Sequence, residues 1–234
     1  MAYAVRMDTN DTANGDVNAD FSRRVLLHGD EIAWEASPMP GVDRRRLDRV
    51  DAGHDRVTTI VRYAPGSRFS AHVHGGGEEF VVLDGVFQDD YGDWPAGSYV
   101  RNPPQSSHTP GSGPGCTILV KLWQFDPEDR TVVHADLNKL GAVPEAGRDG
   151  VRVSPLFEDD RERVRVERWE PGARVAVDAA GGAELFVLEG GFEEGGDRLR
   201  THSWLRVPDG GRVEATAGAE GARVWIKSGH LRGL

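Results

Sequence analysis

The chain has 234 residues, of which 28% are charged, with a net charge of −10 and a single cysteine, Cys116. That length buries a core for one large all-β domain or two small ones, and the acidic balance argues against a duplex phosphate backbone as partner. One cysteine leaves neither a disulfide framework nor a Cys-based zinc module.

Residues 1–20 are rich in Asp, Asn and Thr, lack an apolar stretch, and read as a disordered tail rather than a signal peptide. No later segment approaches transmembrane length, so a cytoplasmic location without membrane contact is expected. From about residue 56 the chain consists of short β-branched runs punctuated by Gly, Pro, Asp and Asn. Arg56–Tyr63, Phe80–Leu83, Ser98–Arg101 and Cys116–Trp123 are examples. Nothing sustains a helical period over three turns. The fold class expected is all-β.

Within this pattern His72, His74 and Glu78 stand as His-x-His-x3-Glu, and His108 follows. Side chains two apart on a strand share a face, so His72 and His74 project together. Glu78 can join them after a bend at Gly75, Gly76 and Gly77, and His108 can arrive from a neighbouring strand. Imidazole and carboxylate donors suit a divalent first-row metal. Glu78 is preferred as the carboxylate ligand, with adjacent Glu79 as the alternative.

The chain repeats itself at a period of about 105 residues. Arg62-Tyr63-Ala64-Pro65-Gly66 recurs as Arg168-Trp169-Glu170-Pro171-Gly172, and Glu79–Phe87 recurs as Glu184–Phe192. Ser98–Pro103 recurs as Ser203–Pro208, and Gly115–Lys121 as Gly221–Lys227. The chain is therefore expected to hold two tandem β-barrels, with a boundary near residues 136–150, where Gly and Pro break the strand pattern. Pro65-Gly66, Gly85 and Phe87 persist in both halves and are assigned to turns and core. The ligand set does not persist. Its counterparts are Val177 or Asp178, Ala179 or Ala180, Ala183, and a position near Val213. Glu79 keeps a counterpart, Glu184, in the half without ligands, which favours a structural role for it. Arg101, with Asn102 beside it, recurs as Arg206 and is read the same way. His28, His54, His134, His202 and His230 have no partner at ligand spacing, and Cys116 heads an apolar strand as a small hydrophobe.

The segment Gly66-x5-His72-x-His74-x3-Glu78-x6-Gly85 resembles the first motif of the cupin superfamily. Pro95-Ala96-Gly97 and Pro104-x3-His108 resemble a variant of the second motif, and the wording is most similar to the ChrR-type cupins. The resemblance covers residues 24–125, and 151–230 as a degenerate second copy. It implies a bicupin with a β-sandwich barrel in each half: 21–140 holding the metal and 141–234 without ligands. The implied ligands are His72, His74, Glu78 and His108, for one divalent ion per chain (Zn, Fe or Mn). ChrR anti-sigma factors also carry an N-terminal zinc module of His and paired Cys. This chain has no such Cys set, so sigma-factor binding by that route is not expected.

Two functions follow from the metal. Four protein ligands close a tetrahedral zinc, which suits a non-enzymatic sensor of the oxidative-stress, anti-sigma-factor-like kind. The same four leave two positions open on octahedral iron or manganese. That suits a dioxygenase of a small diketone- or hydroxyketone-like substrate, with Glu78 able to act as a base. The dioxygenase is the leading reading, and a sugar isomerase the least favoured. The expected partner is a small molecule, with no nucleic acid and no membrane; the sequence leaves a homodimer open.

Overall fold

The computed structural model describes residues 15–51 and 53–234. These residues form strands almost throughout, and the helical element among them is a 3-10 turn at Gly29–Glu31. None of their helices is long and apolar enough to cross a membrane.

Two antiparallel sheets dominate. The first runs in the order Val133–Asp136, Ser98–Asn102, Glu78–Asp89, Cys116–Leu122, Asp55–Tyr63, Val42–Asp51 and Glu35–Ala36. The second runs Val25–His28, Ser203–Val207, Ala183–Glu194, Gly211–Ser228, Arg163–Trp169, Val151–Glu158 and Val143–Pro144. Position by position these are equivalent strands, so the sequence repeat is a structural one. Arg174–Ala179 alternates exposed and buried residues, as a strand with one wet face must, whereas Ser98–Asn102 and Ser203–Val207 are buried at every position.

The recurring residues have visible tasks. Gly85 and Gly190 sit in left-handed conformations (φ 72° and 68°), and a Cβ on either would collide with the carbonyl of Gly115 or Gly221. Phe87 and Phe192 are each 1% exposed, in the hydrophobic cores of the first and second repeats.

The two end strands are exchanged. Val25–His28 opens the first repeat but pairs with Ser203–Val207 of the second. Val133–Asp136 opens the second repeat and pairs with Ser98–Asn102 of the first. Each sheet thus takes its end strand from the other repeat. A third core is drawn from both repeats, including Leu47, Tyr99, Leu119, Val166, Trp204 and Trp225.

Buried charge crosses the same interface in matched pairs. Lys121 Nζ lies 2.6 Å from Glu184 Oε2, and its counterpart Lys227 lies 2.7 Å from Glu79 Oε2. Tyr99 donates its hydroxyl to Glu79, and its counterpart Trp204 donates Nε1 to Glu184 at 3.0 Å. Burial pushes both carboxyls upward, but the facing lysine together with Tyr99 and Arg101 at Glu79, and with His230 at Glu184, holds each below the usual range.

The disordered tail expected over residues 1–20 does not include residues 17–20. Residues 1–14 lie outside the described residues, but Val17 bridges Arg49, Asn18 Nδ2 donates to the Leu47 carbonyl, and Arg206 donates to the carbonyls of Asn18 and Asp20. Backbone groups of 17–20 are bonded to the fold, which is why their polar composition misleads.

Candidate metal centre

His72 and His108 are directly opposed in a short antiparallel ribbon, His72–Val73 against Ser107–His108. Val73 between the two first-half histidines is 64% exposed, so His72 and His74 turn to the other side. The rings of His72, His74 and His108 converge, with centroid separations of 4.8, 5.3 and 4.7 Å. One nitrogen from each falls within 4.8 Å of the others. His74 and His108 are buried, while His72 opens to solvent. Phe69 and Phe87 stand against His72 and His108 as apolar walls.

Glu78 lies beside this trio. Its Oε2 is 3.4 Å from His74 Nε2 and 3.6 Å from His108 Nε2, and Asn102 Nδ2 donates to it at 3.4 Å. Burial pushes the Glu78 carboxyl up to about 7. Burial, with the neighbouring His108 and His72, drives the His74 imidazole down to about 3. Glu79 points away, into the Lys227 and Tyr99 contacts, so adjacent carboxylates on one strand serve opposite sides of the sheet.

A carbonyl or carboxylate partner can only accept, which sets the neutral rings. His72 Nδ1 faces the Ser70 carbonyl at 3.0 Å and His108 Nδ1 faces Asp89 Oδ2 at 3.0 Å. Each therefore carries its proton on Nδ1 and turns an Nε2 lone pair inward. The Nε2 atoms of His74 and His108 are buried and make no hydrogen bond in the protein. Such atoms are costly unless something accepts their lone pairs, and a divalent cation is the fitting acceptor for three imidazoles and a carboxylate. His72, His74 and His108 can hold a metal ion.

The bend that brings Glu78 to the histidines is built on bare glycine. A Cβ on Gly75 or Gly76 would strike the Trp123 ring, and one on Gly77 would strike Phe125. Trp123 also stacks on His54, with centroids 4.3 Å apart.

In the second repeat Val177 opposes Val213 in the register that His72 and His108 hold. Val177, Ala179, Ala183 and Val213 are all buried in an apolar core, which resolves the alternatives in favour of Val177 and Ala179. Val207 replaces Asn102 opposite Ala183. Motif reading missed Asp89 as the carboxylate behind His108, and gave Asn102 a structural role with Arg101 rather than that of a Glu78 partner. The substitution of Asn102 by Val207 was the available signal.

Comparison with known proteins bears on this centre. Residues 22–126 match the family model described as a ChrR cupin-like domain. The fold is similar to that of a proposed dioxygenase from Nostoc punctiforme, at 15% identity and TM-score 0.74, covering 90% of this chain and 85% of that one. It is also similar to the bacterial pirin YhhW of Escherichia coli in complex with nickel(II), at 15% identity and TM-score 0.62, covering 88% and 99%. A third likeness is to the oxalate decarboxylase formate complex of Lactobacillus farciminis, at 11% identity and TM-score 0.61, covering 88% and 86%. At these identities the likeness is one of fold. A search of curated proteins finds no match.

Proposed function

Residues 22–126 are a ChrR-type cupin domain in a chain of cupin fold, and from that premise we propose a metal-dependent dioxygenase of a small diketone- or hydroxyketone-like substrate. The ligands would be His72, His74, Glu78 and His108, holding one ion per chain. The observation that carries this reading is a converged, partly buried imidazole trio with one member, His72, facing solvent. Access on that side suits a substrate that must reach the centre. A structural zinc needs no such opening.

A bound divalent ion would supply Lewis acidity and, if iron or manganese, redox chemistry with dioxygen. The chain supplies the rest. Phe69 and Phe87 offer apolar walls that limit water around a small substrate. Glu78, beside the imidazole trio, is placed to take a proton from an enolisable C–H once it moves off the ion. Asn102 holds the Glu78 oxygen that would do so. The Nostoc punctiforme likeness supports the class of reaction and does not reach the substrate.

The test is dioxygen uptake by iron-loaded protein offered a panel of β-diketones and hydroxyketones. Uptake that follows metal content and disappears in His74→Ala is expected. Stoichiometric zinc in the native protein, with no turnover on any metal, would overturn the enzyme in favour of the sensor.

A further inference from the structure

The turn between Glu78–Asp89 and Gly92–Pro95 carries Asp89, Asp90 and Tyr91, and each grips a different residue of the Ser107-His108-Thr109 segment. Tyr91 donates its hydroxyl to the Ser107 carbonyl at 3.1 Å. Asp89 accepts from His108 Nδ1 at 3.0 Å, and Asp90 Oδ2 accepts from the Thr109 amide at 2.7 Å. Asp89 is itself fixed: its Oδ1 accepts from Trp94 Nε1 at 3.0 Å and from the Tyr91 amide at 2.9 Å. Its side chain is 1% exposed, so it has little freedom to turn elsewhere.

The second repeat supplies an independent observation. Its corresponding turn reads Glu194-Gly195-Gly196, ahead of the Asp197–Arg200 strand. Gly195 and Gly196 have no side chain to grip with, and Glu194 instead pairs with Arg24 at 2.6 Å. The residue in the place of His108 is Val213, which has nothing to orient. Turn and imidazole vanish together.

We propose that Asp89-Asp90-Tyr91 is a positioning clamp for the third imidazole of the centre. Asp89 sets the ring's tautomer and direction, while Asp90 and Tyr91 hold the backbone on either side. Its consequence for metal affinity rests on the metal reading above; its consequence for the ring does not. An outer carboxylate on a ligating histidine fixes orientation and raises basicity, and losing one typically weakens metal binding about 10–100-fold.

The experiment has two readouts on the full chain. In metal-free protein with 15N-labelled histidine at alkaline pH, long-range 1H–15N spectra are expected to show His108 as the Nδ1–H tautomer. In Asp89→Leu, which removes the acceptor while keeping the branching at Cγ, that resonance pattern should move toward Nε2–H. Affinity for Zn2+ and Co2+, measured by chelator competition, should fall about 10–100-fold in Asp89→Leu. Asp89→Asn, which keeps an acceptor, should recover part of it. Tyr91→Phe alters an exposed side chain that leaves the core untouched and should weaken Co2+ binding severalfold with unchanged thermal stability. An Nε2–H ring in the wild type, or unchanged tautomer and affinity in Asp89→Leu, would overturn the clamp. Should Asp89→Leu not fold, wild-type-like Co2+ affinity in Tyr91→Phe and Asp89→Asn would overturn it. A wild type that binds neither ion while keeping the Nδ1–H ring would end the metal reading and support the clamp.

Discussion

Glu78 and Glu79 are neighbours on one strand with opposite fates. Glu79 is bonded to Lys227 and Tyr99 in the interface, so Glu79→Ala removes one of the two carboxylates facing a buried ammonium, the other being Glu162, and leaves the Tyr99 hydroxyl without its acceptor. That loss is expected to cost about 1–3 kcal/mol, seen as a lower midpoint in urea, with metal content retained. Glu78→Ala should do the reverse. Its carboxyl is pushed up to about 7 by burial, so removal relieves a desolvated group and leaves stability near wild type while metal content falls. If both variants lost stability equally and neither lost metal, the assignment of the two residues would be wrong. The difference between them was legible in the sequence, because Glu79 recurs as Glu184 and Glu78 becomes Ala183. Asp89 was not legible. Its task depends on a hairpin turn meeting a distant strand, and no local spacing encodes that distance.

At the scale of elements, the Gly75-Gly76-Gly77 bend depends on Trp123. This residue adopts φ 59°, left-handed for a bulky side chain, and its counterpart in the second repeat is Gly229 at φ 91°. The amides of both donate to equivalent carbonyls, Gly77 and Gly182, so the backbone geometry is shared and the indole is the addition. A non-glycine residue there costs about 1–2 kcal/mol, and such outliers gather at functional sites. In Trp123→Gly, relief of that strain should offset much of the packing lost from a ring already 39% exposed. Thermal stability is expected to change little, while metal release to a chelator quickens several-fold. An unchanged release rate would show that the indole does not support the loop. The glycine run could be read as a bend from sequence, but its partner could not, since Trp123 follows a strand distant in the chain, Cys116–Leu122.

At the scale of the molecule, the two repeats are expected to fold as one unit. The exchange of Val25–His28 and Val133–Asp136, the shared core and the reciprocal Lys–Glu pairs all cross between the repeats. Chemical unfolding is expected to show one transition, reported alike by Trp94 in one half and Trp204 in the other. A chain ending near residue 140 loses Lys227 and leaves Val25–His28 unpaired, and it should aggregate. A soluble, metal-loaded truncation would contradict this. Acid should act on the whole as well. Glu79, Glu167 and Glu184 are each driven up by burial but held below the ordinary 4.5 by facing cations. Their contribution is complete above that value and is lost as pH falls through their lower folded-state values. Denaturation midpoints should therefore fall steeply below about pH 4, for both halves together. The repeat made the two equivalent sheets legible. It could not reveal the exchange, because equivalent segments look alike whichever copy they pair with.

The central claim is a metal held in the first barrel and none in the second, where Val177, Ala179, Ala183 and Val213 fill the equivalent space. It is tested most directly by elemental analysis of tag-free protein purified without added metal, beside His72→Ala and His108→Ala. One equivalent of a first-row metal per chain, lost in both variants while each stays folded, is the predicted result. A folded wild-type protein that carries no metal, or variants that keep it, would contradict the account.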